Sequence, residues 1–489
     1  MNDSMYCGDE VATVVGDIGS DTSKFGYGGE DSPKHVFSST AGYLPPETSI
    51  REGAVASLAQ MDVDGASDAS HVSAAATAAA AAAAAGLKRR PGGRWLVGDL
   101  AVSRRRDGLE MKSPLEDGLL SDWEQVEKLW EHAFHQRLRA VPSERPVLCA
   151  EASWSTAKER RGLMELMFEK FGVPAMFPAK NAMLSAFSAG RATALVCDCG
   201  HGASSAVPVV DGFVLNRAVQ RGIRGGAWLT QQTHAYLVAK GIQVQPRYAV
   251  QRGGTTGDTT PATSTTVTAS GRVVSLKGKG KTRGRGARGP SAEEMFPGTT
   301  CSYANFMRME VVRELKETAM CIPLEETTTS DEDEDRETEF YLPDGTKIEY
   351  TDELRHIPDM LMESSAMTLL QNSQRDNLAL DLPLSALLRR ALEKSDADAR
   401  KEMAGNVILT GAGSLFDGMP ERITSELTES LPSAFKVRTL TASPIERRFS
   451  VWIGGSILCS LGTFQQLWLS KRQYEEQGAE MAESRRFRG

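Results

Sequence analysis

Glu446-Arg-Arg-Phe-Ser-Val-Trp-Ile-Gly-Gly-Ser-Ile-Leu-Cys-Ser-Leu-Gly-Thr-Phe-Gln-Gln-Leu-Trp-Leu-Ser-Lys471 is the stretch from which the rest of the chain can be read. Its glycine pair, Gly454-Gly455, opens an apolar run and lies between Trp452 and Trp468. Glycines in that setting leave room for a helix or turn to press against another backbone or a ligand. Two glycine hairpins lie upstream of it.

The first is Val14-Val-Gly-Asp-Ile-Gly-Ser-Asp-Thr-Ser-Lys-Phe-Gly-Tyr27 and the second Leu195-Val-Cys-Asp-Cys-Gly-His-Gly-Ala-Ser-Ser-Ala-Val207. Each is an apolar strand with an Asp at its end, a Gly/Ser turn and a returning strand. Turn amides that carry no bulky side chain can converge on phosphate oxygens. Asp17 and Asp198 stand where a carboxylate can hold magnesium through its water shell, and Lys24 can neutralise phosphate charge. One such hairpin alone is mostly just a turn. Two, each opening one half of the chain, point to a ligand held between the halves, facing both turns.

Composition narrows the class. The 489 residues suffice for two large domains, and 40% hydrophobic with 25% charged residues is ordinary for a globular protein. The net charge of −8 argues against a chain that binds nucleic acid as a whole. Seven scattered cysteines fit a reducing compartment. Cys197 and Cys199 share a strand face with no matching pair near them, so zinc is not expected. His132 and His135 read as a helix surface. The amino terminus is polar, and no apolar run is long enough to span a membrane, so no signal peptide and no membrane association are expected.

Three segments do not read as core. Residues 51–93 are Ala-rich and end in Lys88-Arg-Arg-Pro-Gly-Gly93. Residues 246–298 centre on Lys277-Gly-Lys-Gly-Lys-Thr-Arg-Gly-Arg-Gly-Ala-Arg288, either a solvated loop or a nuclear import signal or nucleic-acid contact. Residues 325–338 are acidic and exposed. Gly280-Lys281-Thr282 is not a P-loop: Ser275 stands where the motif needs a glycine, and no buried strand is expected before it.

Elsewhere strand and helix alternate. Ser121-Asp-Trp-Glu124 reads as a capping box opening a helix with Val126, Leu129, Trp130, Ala133 and Phe134 on its inner face. A strand over 146–150 leads to a helix from about Thr156, capped by Glu159 and ended by Gly172. A strand over 175–178 and a helix from Asn181 to Ser188 precede the second hairpin. Arg313, Lys316 and Glu317 fall on one face of a helix near 303–321. That face could be solvated or ligand-bearing. Asn406-Val-Ile-Leu-Thr-Gly-Ala-Gly-Ser414 is a strand entering a glycine turn, which allows close approach of a flat base or simply leads into a helix.

Taken in order, these segments resemble the actin family over nearly the whole chain, the three insertions apart. Gly8-Asp-Glu-Val11 leading into Asp17-Ile-Gly-Ser20, Gly26-Tyr-Gly-Gly-Glu-Asp-Ser-Pro-Lys34 and Ser460-Leu-Gly-Thr-Phe-Gln-Gln466 are similar to its nuclear actin-related branch, whose members serve in chromatin-remodelling and histone acetyltransferase complexes. The resemblance implies an α/β actin fold, of the superfamily shared with sugar kinases and chaperone ATPases, with two similar halves around a nucleotide cleft. It implies subdomain 1 from 1–38, 114–188 and 450–489, and subdomain 2 from 39–113. Subdomain 3 would comprise 189–224 and 366–449, and subdomain 4 225–365.

The resemblance further implies ATP and magnesium as cofactors. Gly19, Ser20, Lys24, Gly200, His201 and Gly202 would surround the phosphates, with Asp17 and Asp198 on the magnesium waters. Gly226 would lie near the ribose. Arg313, Lys316 and Glu317 would border adenine and ribose, with Gly411, Ala412, Gly413, Phe416 and Arg448 opposite. Conventional actin has a glutamine at Asn181, a histidine at Ser205 and an acidic residue at His201. A misplaced attacking water costs about 100-fold in rate, so the family's hydrolysis is expected to be weak here. The loop that actin inserts into its filament neighbour is replaced by 51–93. Its apolar plug is unrecognisable around Leu354-Arg-His-Ile-Pro-Asp-Met-Leu-Met362. The expectation is a non-filamentous nuclear scaffold. It would bind a motor-subunit helix of a remodeller and monomeric nuclear actin, with histone or DNA contact besides. A polymerising cytoskeletal ATPase is the alternative. A partner groove would be walled by Gly190 and Ala192 and by Leu458, Leu461 and Phe464, with Leu458 and Phe464 reading equally as core of the carboxyl-terminal helices.

Overall fold

The apolar strands of each hairpin, Val14–Ile18 with Thr22–Tyr27 and Ala194–Cys199 with Ser204–Val210, lie at the centre of one sheet each. The computed structural model describes residues 12–46, 93–250, 264–267, 273–276, 295–322, 339–362 and 381–486. The Ala-rich segment up to residue 92, residues 277–288, the acidic tract 325–338 and Gly8–Val11 lie outside the described residues. The first sheet has six strands, in the order Leu469–Ser470, Ala175–Lys180, Val147–Glu151, Val14–Ile18, Thr22–Tyr27, His35–Ser38. The hairpin pairs antiparallel, with Asp17 opposite Lys24, while Val14–Ile18 runs parallel to Val147–Glu151. The second sheet repeats this plan. Ala194–Cys199 pairs antiparallel with Ser204–Val210, Asp198 opposite Ser205, and runs parallel to Val407–Thr410.

The halves meet along the helix Asn181–Ser188. Its Ala182 and Ala186, one turn apart, pack with Val196, Val207 and Ile408 of the second sheet. Leu184 faces the first half with Val15, Leu148 and Trp452. The helix Pro444–Cys459 crosses it so closely that a Cβ on Gly454 would stand 1.8 Å from the Leu184 carbonyl oxygen. That is the backbone contact foreseen for the glycine pair. Trp452 buries its ring and donates from Nε1 to the Val15 carbonyl at 3.1 Å. The last helix, Lys471–Arg486, returns to the first half, where Glu483 pairs with Arg160 at 2.7 Å and Arg160 with Glu151 at 3.0 Å.

Some local expectations are corrected. The helix Trp123–Glu131 is capped by Asp122, which accepts from the Gln125 amide, and not by a Ser121 box; Glu124 instead accepts from Trp95 Nε1 at 2.9 Å. His132 is buried against Phe37 and accepts from Arg137 Nε, because the helix widens into a π turn over His132–Leu138 and its inner face shifts. A strand, Val273–Leu276, does precede Gly280-Lys281-Thr282, but it belongs to a two-stranded hairpin with Ser264–Val267, outside the parallel strands. The capping box of Thr156 and Glu159 is present as read, and Gly172 takes a left-handed φ of 66° beyond the helix end.

Candidate functional site

The two hairpin turns face each other. Gly19 N–H closes the first turn on Thr22 O at 3.1 Å, and Gly200 N–H closes the second on Ala203 O at 3.0 Å. A Cβ on Gly202 would lie 2.6 Å from Ser20 Oγ, so the second turn lies directly against the first. Lys24 Nζ holds Asp17 Oδ2 at 2.8 Å, and both side chains are largely buried. Burial pushes the Asp198 carboxyl up to about 6, the Asp17 charge adds to this, and Lys24 offsets part of it. A buried carboxylate that faces a second one suits a shared divalent cation. Among the described residues no three His, Cys, Asp or Glu side chains converge as a ligand set. Magnesium that keeps several waters and takes phosphate oxygens needs no such cage, so the residues fit it.

Around this pair the chain closes from three sides. The helix Gly226–Ala239 starts at the second turn, its first amides bonded to Gly200 O at 2.9 Å and His201 O at 2.7 Å. From the helix Cys301–Ala319, buried Lys316 donates to Gly226 O at 2.8 Å and Thr230 Oγ1 at 3.0 Å. Burial pushes its ammonium down to about 8, with Glu317 opposing and Arg313 assisting. Arg313, on the same face, pairs with Asp21 of the first turn, with Glu310 at 2.9 Å and with Glu317 at 3.8 Å. His201 is pushed down to about 4 by burial, against the pull of Asp21, so it is a neutral imidazole at ordinary pH.

The glycine turn after Val407–Thr410 forms the third side. Gly411 has φ 86°, and a Cβ there would meet Cys199 O at 2.4 Å and Asp198 Oδ1 at 2.6 Å. Gly413 presses on Cys199 O in the same way. Ala412 is exposed beside it. Arg448 is half-buried within the fields of Glu317 and Asp21. Phe416 is half-buried, with one side packed against the second-half core.

The structure thus gathers Asp17, Gly19, Ser20, Lys24, Asp198, Gly200, His201, Gly202, Gly226, Arg313, Lys316, Glu317, Gly411, Gly413 and Arg448 around one cleft. Asp21 was missed because an acidic residue in a turn reads as solvated. Asn181 is held on both sides: Ser153 Oγ donates to its Oδ1 at 2.5 Å, and its Nδ2 donates to Asp198 Oδ2 at 3.4 Å. Ser205 is buried in the returning strand.

Residues 8–487 match the model of the Actin family. Actin-related protein 4 of Arabidopsis thaliana is 37% identical over 480 residues, covering 97% of this chain and 98% of that protein. Actin-related protein 4 of Oryza sativa subsp. indica is 35% identical over 481 residues, at 97% and 98% coverage. That of Yarrowia lipolytica is 30% identical over 490 residues, at 99% and 98%. Two mixed sheets with matched hairpins, and a likeness that runs from end to end, place this chain in the actin family.

Proposed function

We propose that this chain is a non-filamentous, ATP- and magnesium-binding scaffold subunit of nuclear chromatin-remodelling and histone acetyltransferase complexes. The observation that carries the nucleotide part is the meeting of the two glycine turns, Gly202 against Ser20, with Asp17 and Asp198 beside them. The nuclear part rests on full-length likeness to Actin-related protein 4. In this reading Gly19, Ser20, Lys24, Gly200, His201 and Gly202 take the phosphates, and Asp17 and Asp198 the magnesium waters. Gly226, Arg313, Lys316, Glu317, Gly411, Ala412, Gly413, Phe416 and Arg448 border the nucleoside. The four-subdomain division of the sequence reading goes with it.

ATP stays uncleaved because Asn181 is short and already committed to Ser153 and Asp198, while Ser205 offers no imidazole. Self-assembly is disfavoured because the apolar residues of the plug region, Leu354, Ile357, Met360, Leu361 and Met362, are buried in the second-half core. The partner helix lies against Ile457 and Leu461, which are exposed. Leu458 and Phe464 are core, the second of the two readings the sequence allowed.

Tagged full-length protein, purified from nuclei of its own source, should carry a remodeller motor subunit and actin, bind ATP with magnesium and release little phosphate. Asp17→Ala should weaken ATP binding by about tenfold or more, the scale of a lost charge-assisted contact. Pelleting as filaments with rapid phosphate release, and no chromatin partner, would replace this reading with a cytoskeletal ATPase.

A further inference from the structure

A carboxylate on a phosphate-binding turn repels the anion the turn would receive, yet Asp21 follows Gly19 and Ser20 directly. Its charge is spent elsewhere. Asp21 Oδ1 is ion-paired with Arg313 Nη1, and the two side chains are 34% and 13% exposed, so the pair is partly shielded from water. Asp21 belongs to the hairpin of the first sheet. Arg313 belongs to the helix Cys301–Ala319, whose Val311, Val312 and Leu315 are core of the second half. The pair therefore spans the cleft, and Glu310 braces Arg313 from its own helix at 2.9 Å.

The same helix is fastened to the first half again at its opening turns. Tyr303 is fully buried with Leu96 and Leu109 and donates to Ser103 O at 3.0 Å. Parting the halves must break both this apolar roof and the ionic contact deeper in the cleft. The roof has no net charge to screen. The ion pair has a partner one-third exposed, and salt weakens such pairs.

We propose that Asp21 and Arg313 form a clasp that holds the cleft shut over the nucleotide, so that ATP exchanges slowly and serves as a resident structural ligand. The inference rests on the nucleotide reading above. It assigns Asp21 a gating role in which its repulsion of phosphate is outweighed by the bond it makes between the halves.

The test loads full-length protein with radiolabelled ATP and magnesium, then chases with unlabelled ATP, with association followed in parallel. Asp21→Asn should raise both release and association rates about fivefold, the equivalent of an ion pair worth roughly 1 kcal/mol. Asp21→Glu should stay close to wild type. Added salt should speed wild-type release more than that of Asp21→Asn. If Asp21 acted only through its charge, its removal would slow release, which is the opposite sign. Slower or unchanged release in Asp21→Asn, or wild-type release no more salt-sensitive than the variant's, overturns the clasp while leaving the nucleotide site intact. Failure of wild type to bind ATP overturns the nucleotide reading, and the clasp with it.

Discussion

At Gly454 one hydrogen atom decides whether two helices can meet. A methyl group there would lie 1.8 Å from Leu184 O and 2.5 Å from Leu184 C, both backbone atoms that cannot rotate away. Gly454→Ala should therefore cost about 3 kcal/mol, at the upper end of overpacking, read as a fall in melting temperature. Gly455→Ala, whose nearest neighbour is a Val15 methyl at 2.9 Å, should cost less. Equal losses would mean the helices slide apart freely. The glycine pair was legible because only a missing side chain explains two glycines inside an apolar run. Asp21 was not, since a turn acid carries no pattern and its partner lies 292 positions away.

Among elements, the clearest local signals were caps. The Thr156 box and the helix Asn181–Ser188 stand where the sequence reading put them, because short-range hydrogen bonds need only neighbours. The Ser121 box failed since Asp122, one residue on, offers a stronger acceptor to Gln125 N–H. Asp122→Ala should thus destabilise by about 1 kcal/mol and Ser121→Ala hardly at all, which denaturant titration of the two variants can separate. The burial of His132 was illegible for another reason: a 3.6-residue period carries no trace of a π turn, which holds an extra residue. Of the site, the hairpins and the glycine turn at 411 could be read from residue type. The Arg313–Lys316–Glu317 face could not be told from a solvated one until Lys316 was found buried on Gly226 O.

For the molecule as a whole, four histidines among the described residues contribute a common response to acid. His35, His132, His201 and His234 are all held below the usual 6.5, chiefly by burial, and His201 reaches about 4. Between those values the unfolded chain binds more protons, so the stability they contribute is full above pH 6.5 and is lost as pH falls toward 4. Asp198, raised to about 6, acts in the opposite sense. The cleaner measurement is therefore a difference. In nucleotide-free protein, His201→Asn should flatten the dependence of melting temperature on pH across this window, and an unchanged slope would mean the imidazole is not held neutral. The sheet order carries a further consequence, for synthesis. The second sheet is drawn from one continuous stretch, Ala194 to Leu440, whereas the first lacks its edge strand Leu469–Ser470 until after the whole of the second has been made. Its core also waits for Trp452, whose bond to Val15 spans 437 positions. On the ribosome the half begun second can finish first, while the amino-terminal strands stay exposed to misassociation until the last turns emerge, the period in which a chaperone has most to protect.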